Sequence, residues 1–302
     1  MKNIGIDVGG TFIKAAIVET SGKIVLSSKT PTPKQGEAIP SKIGEMIDDL
    51  LKKTNMDIDN IRHIGIGVPG VCDSKKGVII SCPNIEGCNN IEICDYIKAR
   101  FGTQAYLDND ANCAALGEYL VSEEKPDSFV FVTLGTGVGG GIIIDGKILR
   151  GTNSAAGEVG HIVLKRGGEK CNCGRRGCWE RYASVTALVR QGKNAGLGGN
   201  VSGRSIFADR AKGSIKAKEV INAWLENVAE GICDLVNIFQ PDEIVIGGGI
   251  SREGDIILDP VKRFVEENSI TDKHYCKNTR IKISRLFNDA GVVGASFLYT
   301  QN

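Results

Sequence analysis

Short apolar runs, each cut off by glycine, serine or aspartate, set the rhythm of the chain. Residues 4–8 form a first run, Gly9 and Gly10 interrupt it, residues 11–18 resume, "TSG" turns the chain, and residues 24–27 follow. Runs this short between turn residues predict a strand meander. The pattern recurs near mid-chain. Residues 129–134 predict a strand, a glycine-rich turn follows, and residues 141–144 predict another strand before an Asp145-Gly146 turn and a third. Two similar units half a chain apart predict two lobes built alike.

A helical period marks other stretches. Residues 41–54 predict a helix, and 219–239 a long amphipathic one. Residues 63–70 predict a buried strand ending in a turn, and residues 104–110 a strand that breaks into a helix at 111–120. Residues 242–251 predict a strand entering a glycine turn, 279–287 a strand, and 290–299 a closing helix with small residues on one face. "KNAGLGGNVSGRS", residues 193–205, reads as an exposed loop. Strands alternating with helices predict an α/β protein.

Composition narrows the function classes. A length of 302 residues suits two lobes. Lys and Arg number 37 against 36 Asp and Glu, interspersed, for a net charge of +1. That balance argues against nucleic acid as a partner, which favours a basic face. No stretch approaches the roughly 20 apolar residues of a membrane span. The start, "MKNIGIDVGG", carries no signal-like apolar segment, so the ten cysteines are expected to stay reduced in the cytoplasm.

"GTGVGG", residues 135–140, matches the dinucleotide pattern G-x-G-x-x-G. That pattern needs a helix next, whose N-terminus faces the pyrophosphate. Here "GIIIDGKIL" follows, β-branched and ending in an Asp-Gly turn, so the dinucleotide reading fails. No P-loop signature occurs either. What remains is a glycine hairpin whose backbone N–H groups face an anion, or a tight turn with no ligand. In "DVGGT", Asp7 has the chemistry to hold hydrated Mg²⁺ and Thr11 to donate to a phosphate oxygen. In "IGGGIS", Gly247, Gly248 and Gly249 would let an adenine or ribose lie against bare backbone.

"LDNDANCAALGE" puts Asn109 and Asp110 where a strand yields to a helix, the usual place for ligands in open α/β sheets. Asp110 is suited to accept a proton from a substrate hydroxyl. Asp108, Asn109 and Asp110 are equally suited to cap the helix.

"CNCGRRGC" holds Cys171, Cys173 and Cys178, and His161 stands ten residues upstream. Cys₃His completes a tetrahedral Zn²⁺ set, and four protein ligands leave no open position, so the zinc is expected to be structural. Such a metal would also fix Glu158, three residues before His161, and Glu180, two after Cys178. Rigid acceptors suit a polyhydroxylated ligand; surface charge is the plainer reading of both. His161 has a second ring nitrogen to offer a ligand. Cys72, Cys82, Cys88 and Cys94 read as buried thiols or, with less regular spacing, a second metal site.

"DVGGT", "GVPG", "NDAN", "LGTGVGGG", "GEVGH", "CNCGRRGCWE" with Ser184, and "IGGGIS" together resemble the ROK family of sugar kinases and repressors, closest to its zinc-containing bacterial glucokinases. The resemblance spans the chain. It implies a two-lobed actin/hexokinase-like (ribonuclease H-like) fold with a duplicated meander. One lobe would cover residues 1–115, joined by a C-terminal helix at 289–302. The other would cover 116–288 with the zinc site. The implied activity is ATP-dependent phosphorylation of a hexose at its 6-hydroxyl, glucose first. N-acetylglucosamine, N-acetylmannosamine, mannose, fructose or allose are alternatives, as is a non-catalytic sugar sensor. Asp110 would be the catalytic base. Asn84, Asn109, Asp110, Glu158, His161 and Glu180 would bind the sugar, and Gly70 would line its pocket. Asp7, Gly9, Gly10, Thr11, Lys14, Thr136, Gly137 and Gly247 to Gly249 would meet the nucleotide, with Mg²⁺ bound to ATP. A homodimer or homotetramer is implied. Family repressors carry a helix-turn-helix before the first glycine motif, for which a "DVGGT" at residue 7 leaves no room. Cys88 stands where many relatives have an aromatic.

Overall fold

The computed structural model describes residues 1–82, 84–270 and 278–301. Backbone contacts divide the chain into two units, one of Met1–Lys125, Gly141–Gly157 and Asn288–Asn302, the other of Pro126–Gly140 and Glu158–Phe287.

The first unit opens with the expected meander. Strands β1 (Lys2–Val8), β2 (Phe12–Glu19) and β3 (Ile24–Pro31) run antiparallel. The β-branched run of β4 (Ile61–Val68) then pairs parallel to β1, and β8 (Ala105–Asn109) parallel to β4. The order is β3-β2-β1-β4-β8. Residues of β3 alternate between half-buried and exposed, as an edge strand with one wet face should. Helix α1 (Ile39–Thr54) buries Ile43, Ile47 and Leu50 at helical spacing against Ile4, Ile6, Ile13 and Ile66 of the sheet. Its proline sits in the first turn, where no backbone donor is lost, and Asn55 ends it in the left-handed region. A small sheet of β5 (Val71–Asp73), β6 (Val78–Ser81) and β7 (Asn89–Ile91) and helix α2 (Ile93–Phe101) follow.

Helix α3 (Asp110–Val121) packs on a short C-terminal helix, Ala290–Ala295. A Cβ on Gly294 would lie 1.7 Å from the Cys113 carbonyl oxygen, so only glycine permits this approach. The closing segment is not the single helix expected over 290–299 or 289–302. It is Ala290–Ala295, then a separate 3₁₀ turn over Leu298–Gln301. Gln301 bonds back to Gly146 and Ile148, which turns the chain out of α-helical geometry.

The second sheet has the order β11-β10-β9-β12-β13, the same figure as the first. Its strands are β9 (Ser128–Leu134), β10 (Val138–Ile144), β11 (Lys147–Ile148), β12 (Glu243–Gly247) and β13 (Arg280–Ile283). β10 starts at Val138, three residues ahead of the expected 141, so Gly139 and Gly140 are strand and the turn is shorter. β13 stops at Ile283, short of the expected 287. Helix α7 (Ile215–Phe239) starts four residues before the expected 219 because Ser214 caps it.

Among the described residues five α-helices lie outside those expected: α2, α4 (Glu180–Ala183), α5 (Val185–Asn194), α6 (Gly203–Ala211) and α8 (Asp255–Asn268). The expected loop over 193–205 is partly helical. Ser202 and Ser205 form a reciprocal cap that starts α6, and Val201 and Gly203 are buried. No helix among the described residues is long and apolar enough to cross a membrane.

Candidate functional site

In the first unit, the Gly9–Gly10 turn closes with the Gly9 N–H donating to the Phe12 carbonyl at 2.9 Å. Asp7 is the penultimate residue of β1, just before this turn. Burial lifts the Asp7 carboxyl to about 6, against the pull of Lys14. Lys14 pairs with Asp289, and its Nζ donates to the Asn288 carbonyl at 3.3 Å. A Cβ on Gly10 would lie 3.8 Å from that of Asn84, so the first turn and the hairpin after β6 are neighbours.

The three candidate caps divide their work. Asn109 is the cap: its Oδ1 accepts from Ala111 N at 2.8 Å and Asn112 N at 3.4 Å. Its Nδ2 donates to the Gly70 carbonyl at 3.0 Å, which joins two of the expected sugar-contacting residues. Asp110 is half-buried as the first residue of α3, and its Oδ1 accepts from Ala111 N at 2.8 Å. Asp108 is fully buried and pairs with Arg150, Nε to Oδ2 at 2.7 Å. Removing one partner of such a pair typically costs about 3–5 kcal/mol. In the sequence Asp108 is only one of three possible caps, and nothing near it points to Arg150, 42 positions away.

In the second unit, the side chains of His161, Cys171, Cys173 and Cys178 converge, their donor atoms all within 4.8 Å of one another. The Cys173 and Cys178 sulfurs are 3.6 Å apart, and Cys171 Sγ is 3.7 Å from His161 Nδ1. Tetrahedral zinc with bonds of about 2.3 Å sets sulfurs about 3.8 Å apart, so the residues fit Zn²⁺. The other imidazole nitrogen, Nε2, lies 3.9 Å from Glu158 Oε2. Among the described residues no second group of this kind occurs. Cys72, Cys82, Cys88 and Cys94 are buried; burial pushes the Cys72 and Cys94 thiols up to about 12 and raises Cys82 and Cys88 as well.

Glu180 joins the cysteine cluster to the glycine hairpin. Its Oε1 is 3.0 Å from Cys171 Sγ, and its Oε2 would lie 2.6 Å from a Cβ on Gly137. The chain beyond Glu180 holds the same hairpin: Val185 N donates to the Gly135 carbonyl at 2.9 Å and Thr186 Oγ1 to the Thr136 carbonyl at 2.7 Å. Between the two, a short helix α4 (Glu180–Ala183) follows Trp179, a buried indole bonded to the Asn227 carbonyl at 2.7 Å.

A cleft of about 550 Å³ opens beside that hairpin, within the size range of small-molecule sites. Gly135, Thr136, Val185, Thr186, Gly249 and Arg252 are among its lining residues. Of the three expected glycines only Gly249 faces it. The absent Cβ of Gly247 points at Phe131, and that of Gly248, at φ +89°, points at the Leu134 carbonyl. The residues after the hairpin are strand β10, in keeping with the rejection of a dinucleotide site there.

The model of the ROK family matches residues 3–302. The chain belongs to the ROK family. Glucokinase from Halalkalibacterium halodurans is 35% identical over 99% of this chain and 94% of that protein. A crystal structure of a ROK family glucokinase from Streptomyces griseus, in complex with glucose and AMPPNP, superposes with a TM-score of 0.86 at 33% identity over the whole of both chains. The xylose repressor of Caldicellulosiruptor bescii is 29% identical over 96% of this chain and 76% of the repressor. Within this ROK chain, the cleft walls from α5 and α6, Val185, Thr186, Val189 and Arg204, went unnoticed in the sequence. Ser184 and Ser202, the caps of those helices, were the available signal.

Proposed function

We propose that this chain transfers the γ-phosphoryl group of ATP to the 6-hydroxyl of a hexose, with glucose as preferred acceptor. One observation carries the reading: a full-length likeness to a kinase crystallised with glucose and AMPPNP, in a chain that keeps a half-buried aspartate at a strand-to-helix junction. Asp110 accepts the hydroxyl proton as the oxygen attacks the γ-phosphorus in line. Most of the acceleration comes from positioning and charge stabilisation rather than covalent chemistry.

The donor-side roles go to Asp7, Gly9, Gly10, Thr11 and Lys14 in the first unit. In the second they go to Thr136, Gly137 and Gly247 to Gly249, with the cleft beside Gly249 taking the adenosine end. Asp7 would hold the Mg²⁺ that comes with ATP, and the ion would neutralise phosphate charge there. Gly70, Asn84, Asn109, Glu158, His161 and Glu180 are assigned to the sugar. Asn109 retains one amide hydrogen beyond its bond to Gly70. His161 offers Nε2 while Nδ1 faces the thiols. Zn²⁺ on the Cys₃His set is structural. A homodimer is the assembly the resemblance favours, and light scattering would measure it. A reducing, cytoplasmic setting suits the nine described cysteines, none of them in a disulfide.

The likeness to a xylose repressor supports a second reading, a sugar sensor without turnover. One assay separates them. ADP release, coupled to a spectrophotometric readout, is followed with glucose, mannose, fructose, allose, N-acetylglucosamine and N-acetylmannosamine. The kinase reading expects the highest kcat/KM with glucose. Sugar binding by calorimetry with no ADP from any sugar would establish the sensor instead.

A further inference from the structure

We propose that Arg150, acting through Asp108, is a positioning residue for the base, an inference that rests on the reading of Asp110 given above. Asp108 lies two residues before Asp110 and is buried. Its Oδ1 accepts from the Asn109 N–H at 2.8 Å and from Asn112 Nδ2 at 2.9 Å, while Oδ2 accepts from Arg150 Nε at 2.7 Å. A single carboxylate thus ties the end of β8 and the first turn of α3 to Arg150, just beyond β11.

Arg150 is itself fastened. Its Nη1 donates to the Gln301 carbonyl at 3.3 Å. The Gln301 side chain accepts from Ile148 N at 2.9 Å and donates to the Gly146 carbonyl at 3.1 Å, and Lys147 Nζ donates to the Thr300 carbonyl at 2.9 Å. Strand β10 also presses on α3: a Cβ on Gly141 would lie 2.5 Å from the Ala115 Cβ and 2.8 Å from the Ala111 carbonyl oxygen. Hairpin, C-terminal turn and α3 are therefore locked together, and Asp110 rides on the locked end.

Charge explains why an arginine is needed. A buried carboxylate deprived of its cation either takes a proton or turns toward water. Protonation weakens its hold on Asn109 and Asn112, since a neutral carboxyl is a poorer acceptor, and turning toward water breaks it. The base then loses its fixed placement, and a displacement of about 1 Å can cost about a hundredfold in rate. Arg150 has no assigned contact with sugar or phosphate, and of the groups that Asp108 holds only Asn109 is assigned to the sugar, so the loss falls mainly on kcat, with a small rise in sugar Kd.

The test compares Arg150→Met, Arg150→Lys and Asp110→Asn in the full chain, with kcat and KM from ADP release and the sugar Kd from calorimetry. Arg150→Met is expected to lose about tenfold or more in kcat while the sugar Kd stays within about threefold. Arg150→Lys, which restores the charge but offers a single head for two acceptors, should recover part of that loss. If Arg150→Met does not fold, Asp108→Asn replaces it; this variant keeps the side-chain shape and loses the charged grip on Arg150. Full kcat in either substituted protein, alongside an inactive Asp110→Asn, overturns the positioning role. An active Asp110→Asn overturns the base assignment instead. A rise in sugar Kd equal to the fall in kcat/KM would also defeat the inference, because it places Arg150 in binding.

Discussion

At the scale of single residues, two carboxylates carry opposite demands. Asp110 sits half-buried as the first residue of α3, where its Oδ1 accepts from the Ala111 N–H. Asp110→Asn preserves the size and removes the proton acceptor. Its kcat should fall roughly 10²–10⁴-fold, the usual worth of a general base, with sugar binding unchanged by calorimetry. Near-normal turnover would remove Asp110 from the mechanism. Asp7 is the reverse case. Burial raises its carboxyl from 3.8 to about 6. The folded chain therefore holds this proton more tightly than the unfolded chain, and stability falls as pH rises through that window. Asp7→Asn should melt higher than wild type at pH 7 or above, with the gap closing toward about pH 4. A gap independent of pH would mean that burial does not penalise the Asp7 anion. The same substitution should weaken MgATP binding, because a neutral amide is a poorer cation ligand.

At the scale of elements, the cysteine cluster and the glycine hairpin form one assembly. Glu180 touches Cys171 with one oxygen and abuts Gly137 with the other, and the residues after it bond to the Gly135 and Thr136 carbonyls. Freed thiols would swell the loop and let Glu180 swing away from the hairpin. Chelation, or Cys173→Ser, is therefore expected to weaken AMPPNP binding as well as sugar binding, both read by calorimetry. Unchanged nucleotide affinity in metal-stripped protein would show that the hairpin stands without the clamp. The expectation differs from what spacing alone suggests, which ties the metal to the sugar-facing acids only.

At the scale of the whole molecule, two sheets repeat the strand order of a meander followed by parallel strands. Ligands that bind the folded chain alone stabilise it by mass action, about 2.7 kcal/mol at a hundred times Kd. Glucose and AMPPNP should each raise Tm by several degrees in a thermal-shift measurement, and Asp110→Asn should keep both shifts while losing turnover. A nucleotide that leaves Tm unmoved at millimolar concentration would leave the phosphate-loop reading without support.

Several features are legible in the order of residues by itself. Glycine turns between β-branched runs, the Cys₃His spacing, and an acid at a strand-to-helix junction are local signals, readable because turn geometry, metal coordination and capping depend on residues close in sequence. The strand after "GTGVGG" follows from its β-branched residues in the same way. The choice among Asp108, Asn109 and Asp110 is not local. All three are good caps, and the outcome depends on Arg150 arriving 42 positions later to neutralise a buried Asp108. The partner of Lys14 lies 275 positions on, and the cleft walls come from α5 and α6, of which only α5 has a marked apolar period. Local propensity offers each of these groups several partners of similar worth. Burial makes one partner necessary, and only the folded chain brings that partner within reach.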